Sequence, residues 1–169
     1  QEPFCIEEGE SHLFAPTTSQ TALKHLARKA GATLLGAGTD LGVLVNKGRL
    51  EYREILSLHL IEEFYEMKKL PARRVFAGAR VTIASLRRFI EKDIPEFSSF
   101  LDLFGSPQIK NVATLAGNVA NASPIADSIP FLLVSDAKIH LLSARGKRVV
   151  PLESFFLGYK KTDLRKGEL

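Results

Sequence analysis

The most constraining stretch of this chain is a glycine-rich turn, Gly36-Ala37-Gly38-Thr39-Asp40-Leu41-Gly42, set directly behind the short apolar run Ala32-Thr33-Leu34-Leu35. Glycine carries no Cβ, so the main chain there can adopt positive φ and approach a ligand closely. The flanking segments supply the framework in which this strand and turn are read. Upstream, Ala22, Leu23, Leu26, Ala27 and Ala30 recur at helical spacing. That spacing predicts a helix over Ser19 to Ala30, with Thr18 or Ser19 as N-cap and Gly31 as the stop. Downstream, Ile55 to Leu58 reads as another strand, and Val43 to Val45 is too short for periodicity to decide between helix and strand. The chain up to about residue 60 thus reads as strand, helix, strand, loop, strand: a small α/β lobe.

Beyond it, Leu60 to Lys69 is polar and ambiguous, and the run Glu62-Glu63 to Glu66 beside Lys68-Lys69 suits an exposed helix face or turn. Arg74 to Gly78 reads as a strand. Ile83 to Lys92 reads as a helix, with Ile83, Leu86, Phe89 and Ile90 on one face and Thr82 as cap. Ser98 to Phe104 reads as buried helix, whereas Asn111 to Asp127 is small, polar and neither alternating nor helical. Ala137, Ile139 and Leu141 alternate, and Arg145-Gly146-Lys147 turns that strand into Arg148-Val149-Val150, a predicted hairpin.

Composition removes several functional classes. With 169 residues, 45% of them hydrophobic, the chain has enough apolar material for a large globular domain or two small lobes. Its 23 basic and 19 acidic side chains leave a net charge of +4. That is too small a surplus, without interleaved aromatics, to predict nucleic-acid binding. No apolar run approaches the ~20 residues of a membrane span, and no basic-then-apolar leader opens the sequence, so no membrane association is expected. The single Cys5 excludes an internal disulfide and suits a reducing, cytoplasmic setting; its position near the terminus predicts a loose segment. An iron–sulfur cluster needs about four thiolates, so none is expected on this chain. His12, His25, His59 and His140 are scattered without ligand spacing, which predicts no metal site.

Two segments carry chemistry. Successive N–H groups in the glycine turn can form a nest for an anion such as a phosphate, with Thr39 adding a hydroxyl; the same turn can equally be a tight connection. Its GxGxxxG spacing is not the GxGxxG of a dinucleotide fold, and the acid Asp40 lies inside the loop rather than ~20 residues on. The second segment, Thr114 to Asp127, interleaves Thr114, Asn118, Asn121, Ser123 and Asp127 with side chains no larger than Leu. A ligand rich in hydroxyls and phosphates would satisfy these groups, and so would a turn cluster bonded to its own backbone.

Taken together, Gly36-Ala37-Gly38-Thr39-Asp40-Leu41, then Ala113-Thr114-Leu115-Ala116-Gly117-Asn118 and Ala122-Ser123-Pro124-Ile125-Ala126-Asp127, resemble the FAD-binding domain of the molybdenum hydroxylases. That family includes xanthine dehydrogenase and the medium subunit of carbon monoxide dehydrogenase. Phe14-Ala15-Pro16-Thr17-Thr18 is similar to the start of the domain. Phe155-Phe156-Leu157-Gly158-Tyr159-Lys160-Lys161-Thr162 is similar to its end, in a form that leans toward xanthine dehydrogenase.

The resemblance implies a two-lobed α+β fold of the molybdopterin dehydrogenase (PCMH) type. Its small α/β lobe would cover about residues 12–60 and a larger mixed-sheet lobe about residues 61–169, all within one domain over 1–169. FAD would lie extended between the lobes. Leu34, Leu35, Gly36, Ala37, Gly38, Thr39, Asp40 and Leu41 would wrap its pyrophosphate. Thr114, Leu115, Ala116, Gly117 and Asn118 would hold the phosphate and ribityl region from the other side. Asp127 would take a hydroxyl or amide of the cofactor, and Phe104 would sit near the flavin ring unless it is a plain core residue. Family members continue past the position of Leu169 into a further strand and a C-terminal domain, which would carry part of the isoalloxazine site. The implied activity is oxidoreductase electron transfer from iron–sulfur clusters through FAD to NAD+, with no catalytic side chain on this chain. The clusters and the molybdenum cofactor would reside on partner domains or subunits. The alternatives are a related flavoprotein subunit serving carbon monoxide or an aryl-CoA thioester, and a flavin-free structural module.

Overall fold

The computed structural model describes residues 2–29, 31–48 and 51–169. Strand β1 (Phe4–Glu8) folds back antiparallel on β2 (Ser11–Ala15), with Cys5 opposite Phe14. The N-terminal segment is therefore a paired strand rather than a loose end, held by its antiparallel register with β2. Helix α1 (Ser19–Arg28) starts at Thr18, whose hydroxyl accepts from the Thr21 amide, and buries Ala22 and Leu26. Ala30, the expected last residue of that helix, lies outside the described residues. Strand β3 (Thr33–Leu35) leads into the glycine turn, and α2 (Leu41–Asn46) resolves the short ambiguous segment as helix. Strand β4 (Glu54–Ser57) runs parallel to both β2 and β3, giving the order β1-β2-β4-β3.

A 3-10 turn over Glu62–Tyr65 uses the acidic run, and Glu63 accepts from the Ser19 amide at 2.7 Å. The hairpin β5 (Met67–Leu70) and β6 (Arg74–Ala77) follows. Helix α3 (Ile83–Ile90) is capped by Thr82 and buries Ile83, Leu86 and Ile90, the face its spacing predicted. Helix α4 (Pro95–Leu103) packs across it, then come α5 (Pro107–Val112), α6 (Leu115–Ala120) and α7 (Ser128–Val134). Two of these short helices correct the reading of Asn111 to Asp127 as non-helical. Six residues are too few to display periodicity, and the helices are set by caps: Ser106 accepts from Ile109 N and Thr114 from Gly117 N. The chain closes with the hairpin β7 (Lys138–Ser143) and β8 (Gly146–Pro151), a short α8 (Leu152–Phe155), and β9 (Phe156–Gly158) paired with β10 (Lys161–Thr162).

The architecture is α+β. One buried cluster joins α1 and β4 with Leu58, Ile61 and Phe64. A second joins α3 and α4, where Phe97 stacks on Phe131 at 4.0 Å between ring centres. A third lies between β7, β8, α6 and α8. Each fully buried Leu, Ile or Phe contributes ~1.5–3 kcal/mol of apolar transfer. The halves are tied at two places. Leu142 and Leu169 exchange both main-chain hydrogen bonds at 2.8 Å, and Leu169 packs on the first cluster. The second tie is the Ser19 amide, which donates to Glu63. Within the later half, Gly78 is pressed against the Phe64 main chain and its amide donates to the Glu66 carbonyl at 2.9 Å. On β8, Arg148 reaches Glu168 at 2.7 Å and Asp163 at 2.5 Å, fastening the C-terminal segment.

Candidate functional site

The glycine turn leaves the carboxyl end of β3, the position where open parallel sheets expose main-chain groups to ligands. It is half-buried from Gly36 to Thr39, and Gly38 has φ +77°, a left-handed conformation that favours glycine. Among the described residues, the amides of residues 36–41 donate to no protein acceptor. The turn is half-buried over Gly36 to Thr39 and open at Asp40, and Leu41 begins a helix, so these donors remain free for solvent or for an outside acceptor.

Across from it stands the second predicted segment. A methyl built on Gly36 would sit 3.6 Å from Thr114 Oγ1, so the two segments meet. Thr114 is 3% exposed, and its hydroxyl accepts from Gly117 N at 3.0 Å. A Cβ on Gly117 would lie 2.8 Å from that hydroxyl, which explains a glycine inside a helix. Asn118 is partly committed to the fold, since its Oδ1 accepts from the buried Ser128 hydroxyl at 2.6 Å. Leu115 packs on the α3–α4 cluster, while Ala116 is exposed.

Two predicted residues are not brought to this junction. Asp127 is exposed and lines a separate groove with Ala122 to Ala126, Phe156 and Tyr159. Phe104 is half-buried at the end of α4 and packs against the α3–α4 cluster.

Sequence reasoning missed two residues here. Tyr52 lines a hollow of about 180 Å³ beneath the turn, beside Gly38 and Leu41, and its buried hydroxyl has no partner among the described residues. Arg80 is 5% exposed and reaches from the loop after β6 to the turn, where it donates through Nη1 to the Gly36 carbonyl. Its Nη2 lies 3.2 Å from His59 Nδ1, its Nε 3.3 Å from Tyr65 Oη, and its guanidinium 5.4 Å from the Tyr65 ring centre. A lone charge in the otherwise weakly polar run Val75 to Ile83 was the available signal. Unpaired amides, a buried cation with no carboxylate partner among the described residues, and two glycines at the closest approach fit a phosphate-bearing ligand.

The comparisons agree with this geometry. Residues 8–169 match the family model described as the FAD binding domain in molybdopterin dehydrogenase. The chain belongs to that family. Within it, the chain is similar to the xanthine dehydrogenase/oxidase of Gallus gallus, at 32% identity over all of this chain and 13% of that protein. It is likewise similar to the xanthine dehydrogenase FAD-binding subunit of Escherichia coli O157:H7, at 30% identity over 90% of this chain and 53% of the subunit. The chain thus spans about half of that subunit and about an eighth of the longer relative. Quinoline 2-oxidoreductase of Pseudomonas putida 86 superposes with a TM-score of 0.85 at 25% identity, over 92% of this chain and 55% of that one. The carbon monoxide dehydrogenase of Hydrogenophaga pseudoflava shares the fold, with a TM-score of 0.88 at 23% identity, over 97% of this chain and 58% of that one.

Proposed function

We propose that this chain is the FAD-holding electron-transfer part of a xanthine dehydrogenase-like molybdenum hydroxylase, passing electrons from iron–sulfur clusters to NAD+ in the cytoplasm. The observation that carries this reading is the run of six unpaired amides at residues 36–41, facing Thr114 across the closest approach of two segments. Two lobes, about 12–60 and 61–169, hold the cofactor between them in this reading. Leu34 to Leu41 present main-chain donors to the diphosphate. Thr114 to Asn118 close over it from the other side, with the small Gly36 and Gly117 leaving room for the approach. Asp127 holds a cofactor hydroxyl or amide, and Phe104 lies beside the ring. When bound, FAD supplies the conversion between single-electron delivery and hydride transfer. No side chain of this chain is assigned as acid or base; the residues bind, orient and keep water from the diphosphate. In this reading the clusters and the molybdenum cofactor belong to partner domains or subunits; that the Escherichia coli relative is named an FAD-binding subunit supports such a division of labour.

The test is a titration of the purified chain with FAD, followed by flavin fluorescence and absorbance. Saturable binding that is lost when the turn is altered supports the reading, and a chain that stays colourless in excess FAD overturns it. Reduction of the flavin-loaded complex by NADH then tests the acceptor. A loaded complex that ignores NADH but accepts electrons from another donor favours a carbon monoxide- or aryl-CoA-type subunit.

A further inference from the structure

Arg80 is a buried cation without an anion. Among the described residues none of its hydrogen-bond or ring partners is a carboxylate: they are the Gly36 carbonyl, the His59 imidazole, the Tyr65 hydroxyl and the Tyr65 ring. Among the described residues no carboxylate lies in ion-pair range, while Arg148 and Arg87, both more exposed, each have one or more. Removing a guanidinium from water without a counter-charge is strongly unfavourable, so a site that does so is complete only when an anion arrives.

The contact with Gly36 adds direction. A trans peptide places its carbonyl and its amide hydrogen on opposite sides, and the chain has no cis bond among the described residues. Arg80 holds the Gly36 carbonyl toward the protein, so the Ala37 amide faces away, toward the unpaired run that continues to Leu41. The planar fork explains why arginine stands here. One nitrogen fixes the carbonyl, a second takes His59, the third meets Tyr65, and the charge remains available.

We infer that Arg80 is the positioning residue of the glycine turn, and that its charge is the one the cofactor's diphosphate neutralises. This rests on the reading of the turn as an FAD site. It adds a residue from the second half of the chain that acts through Gly36, and it sets the ligand chemistry as a dianionic diphosphate rather than the flavin ring.

The test uses the full chain and the variants Arg80→Lys, Arg80→Gln and Arg80→Met, with FAD, riboflavin and inorganic pyrophosphate as probes. Arg80→Gln and Arg80→Met are expected to weaken FAD by about 30-fold or more, the range for truncating one member of a buried charge pair. Riboflavin, which has no phosphate, changes by less than about threefold on the same scale. Arg80→Lys recovers about tenfold of the loss, because it restores charge without the fork. FAD affinity of the parent also falls more steeply with salt than that of Arg80→Gln.

Equal losses of FAD and riboflavin would identify Arg80 as a strut between the halves and overturn the inference, as would parent-like FAD affinity in Arg80→Gln. If Arg80→Met does not fold, Arg80→Lys and Arg80→Gln carry the comparison. The pyrophosphate arm separates the two readings. Pyrophosphate should shift the Ala37 and Gly38 amide resonances of the parent but not those of Arg80→Gln. A chain that shows those shifts yet refuses FAD loses the proposed function and keeps the Arg80 inference. A chain that binds FAD with no dependence on Arg80 does the reverse, and absence of both signals overturns both.

Discussion

Replacing Gly38 by valine separates a turn that holds a ligand from a turn that merely connects β3 to α2. Gly38 has φ +77°, where an L-residue costs about 1–2 kcal/mol, with a β-branched side chain at the upper end. The new Cβ would meet Leu35 Cδ1 at 3.3 Å, the tip of a flexible side chain that can give way. The fold should therefore lose about 2 kcal/mol, a fall of ~4–8 °C in melting temperature for a chain of this size. The effect on the ligand is larger. Loss of two of the free amides to the ligand, at ~1.5–3 kcal/mol for each charge-assisted hydrogen bond, would convert to a fall of about 10²–10⁴ in FAD affinity. Thermal melting and fluorescence titration measure the two quantities on the same sample. Gly9→Val is the control, since Gly9 also has positive φ, +58°, but sits in the β1–β2 turn with nothing within 4 Å of its Cβ. It should match the loss of stability and leave FAD binding intact. A Gly38→Val chain that melts earlier yet binds FAD within about threefold of the parent would refute the reasoning, because the turn would then be connective only.

Three further perturbations address other parts of the argument. Gly78→Ala should leave little folded protein by circular dichroism, because the added Cβ would overlap the Phe64 carbonyl and stand 2.7 Å from its carbon, and rigid backbone cannot yield. Thr114→Ala removes the acceptor for Gly117 N and should cost about 1 kcal/mol, a drop of ~2–4 °C on melting, together with weaker FAD binding. Arg148 hydrogen-bonds Glu168 and Asp163 and holds both carboxyls below their ordinary range. The stability they contribute is therefore present above a pH of about 4 and is lost as pH falls through their lowered values. Glu168→Gln should flatten that acid limb in melting curves recorded across pH, and an unchanged limb would assign it to other carboxylates.

Local chemistry was legible in the sequence; long-range placement was not. Thr18 and Thr82 announced α1 and α3 because a cap and an apolar period act within one turn of helix. The β7–β8 hairpin was legible because its two strands are neighbours in sequence, although the turn is Ala144-Arg145 and Gly146 and Lys147 already belong to β8. The parallel pairing of β2 with β4 could not be read, since it joins segments separated by α1 and β3. Helices α5 and α6 escaped because six residues show no period. The glycine turn was recognised as a possible nest, but its six unpaired amides and its meeting with Thr114 exist only in three dimensions. Arg80 was passed over because a single arginine reads as surface charge, and nothing local reveals that it is covered.

The junction of Gly36 with Thr114 has a consequence for the order of assembly. Neither segment makes a seat alone, so the seat comes into being only after distant stretches of chain have docked. If the proposed function holds, loading would follow docking, and a dinucleotide seated at that junction would bridge two stretches distant in sequence and oppose their separation.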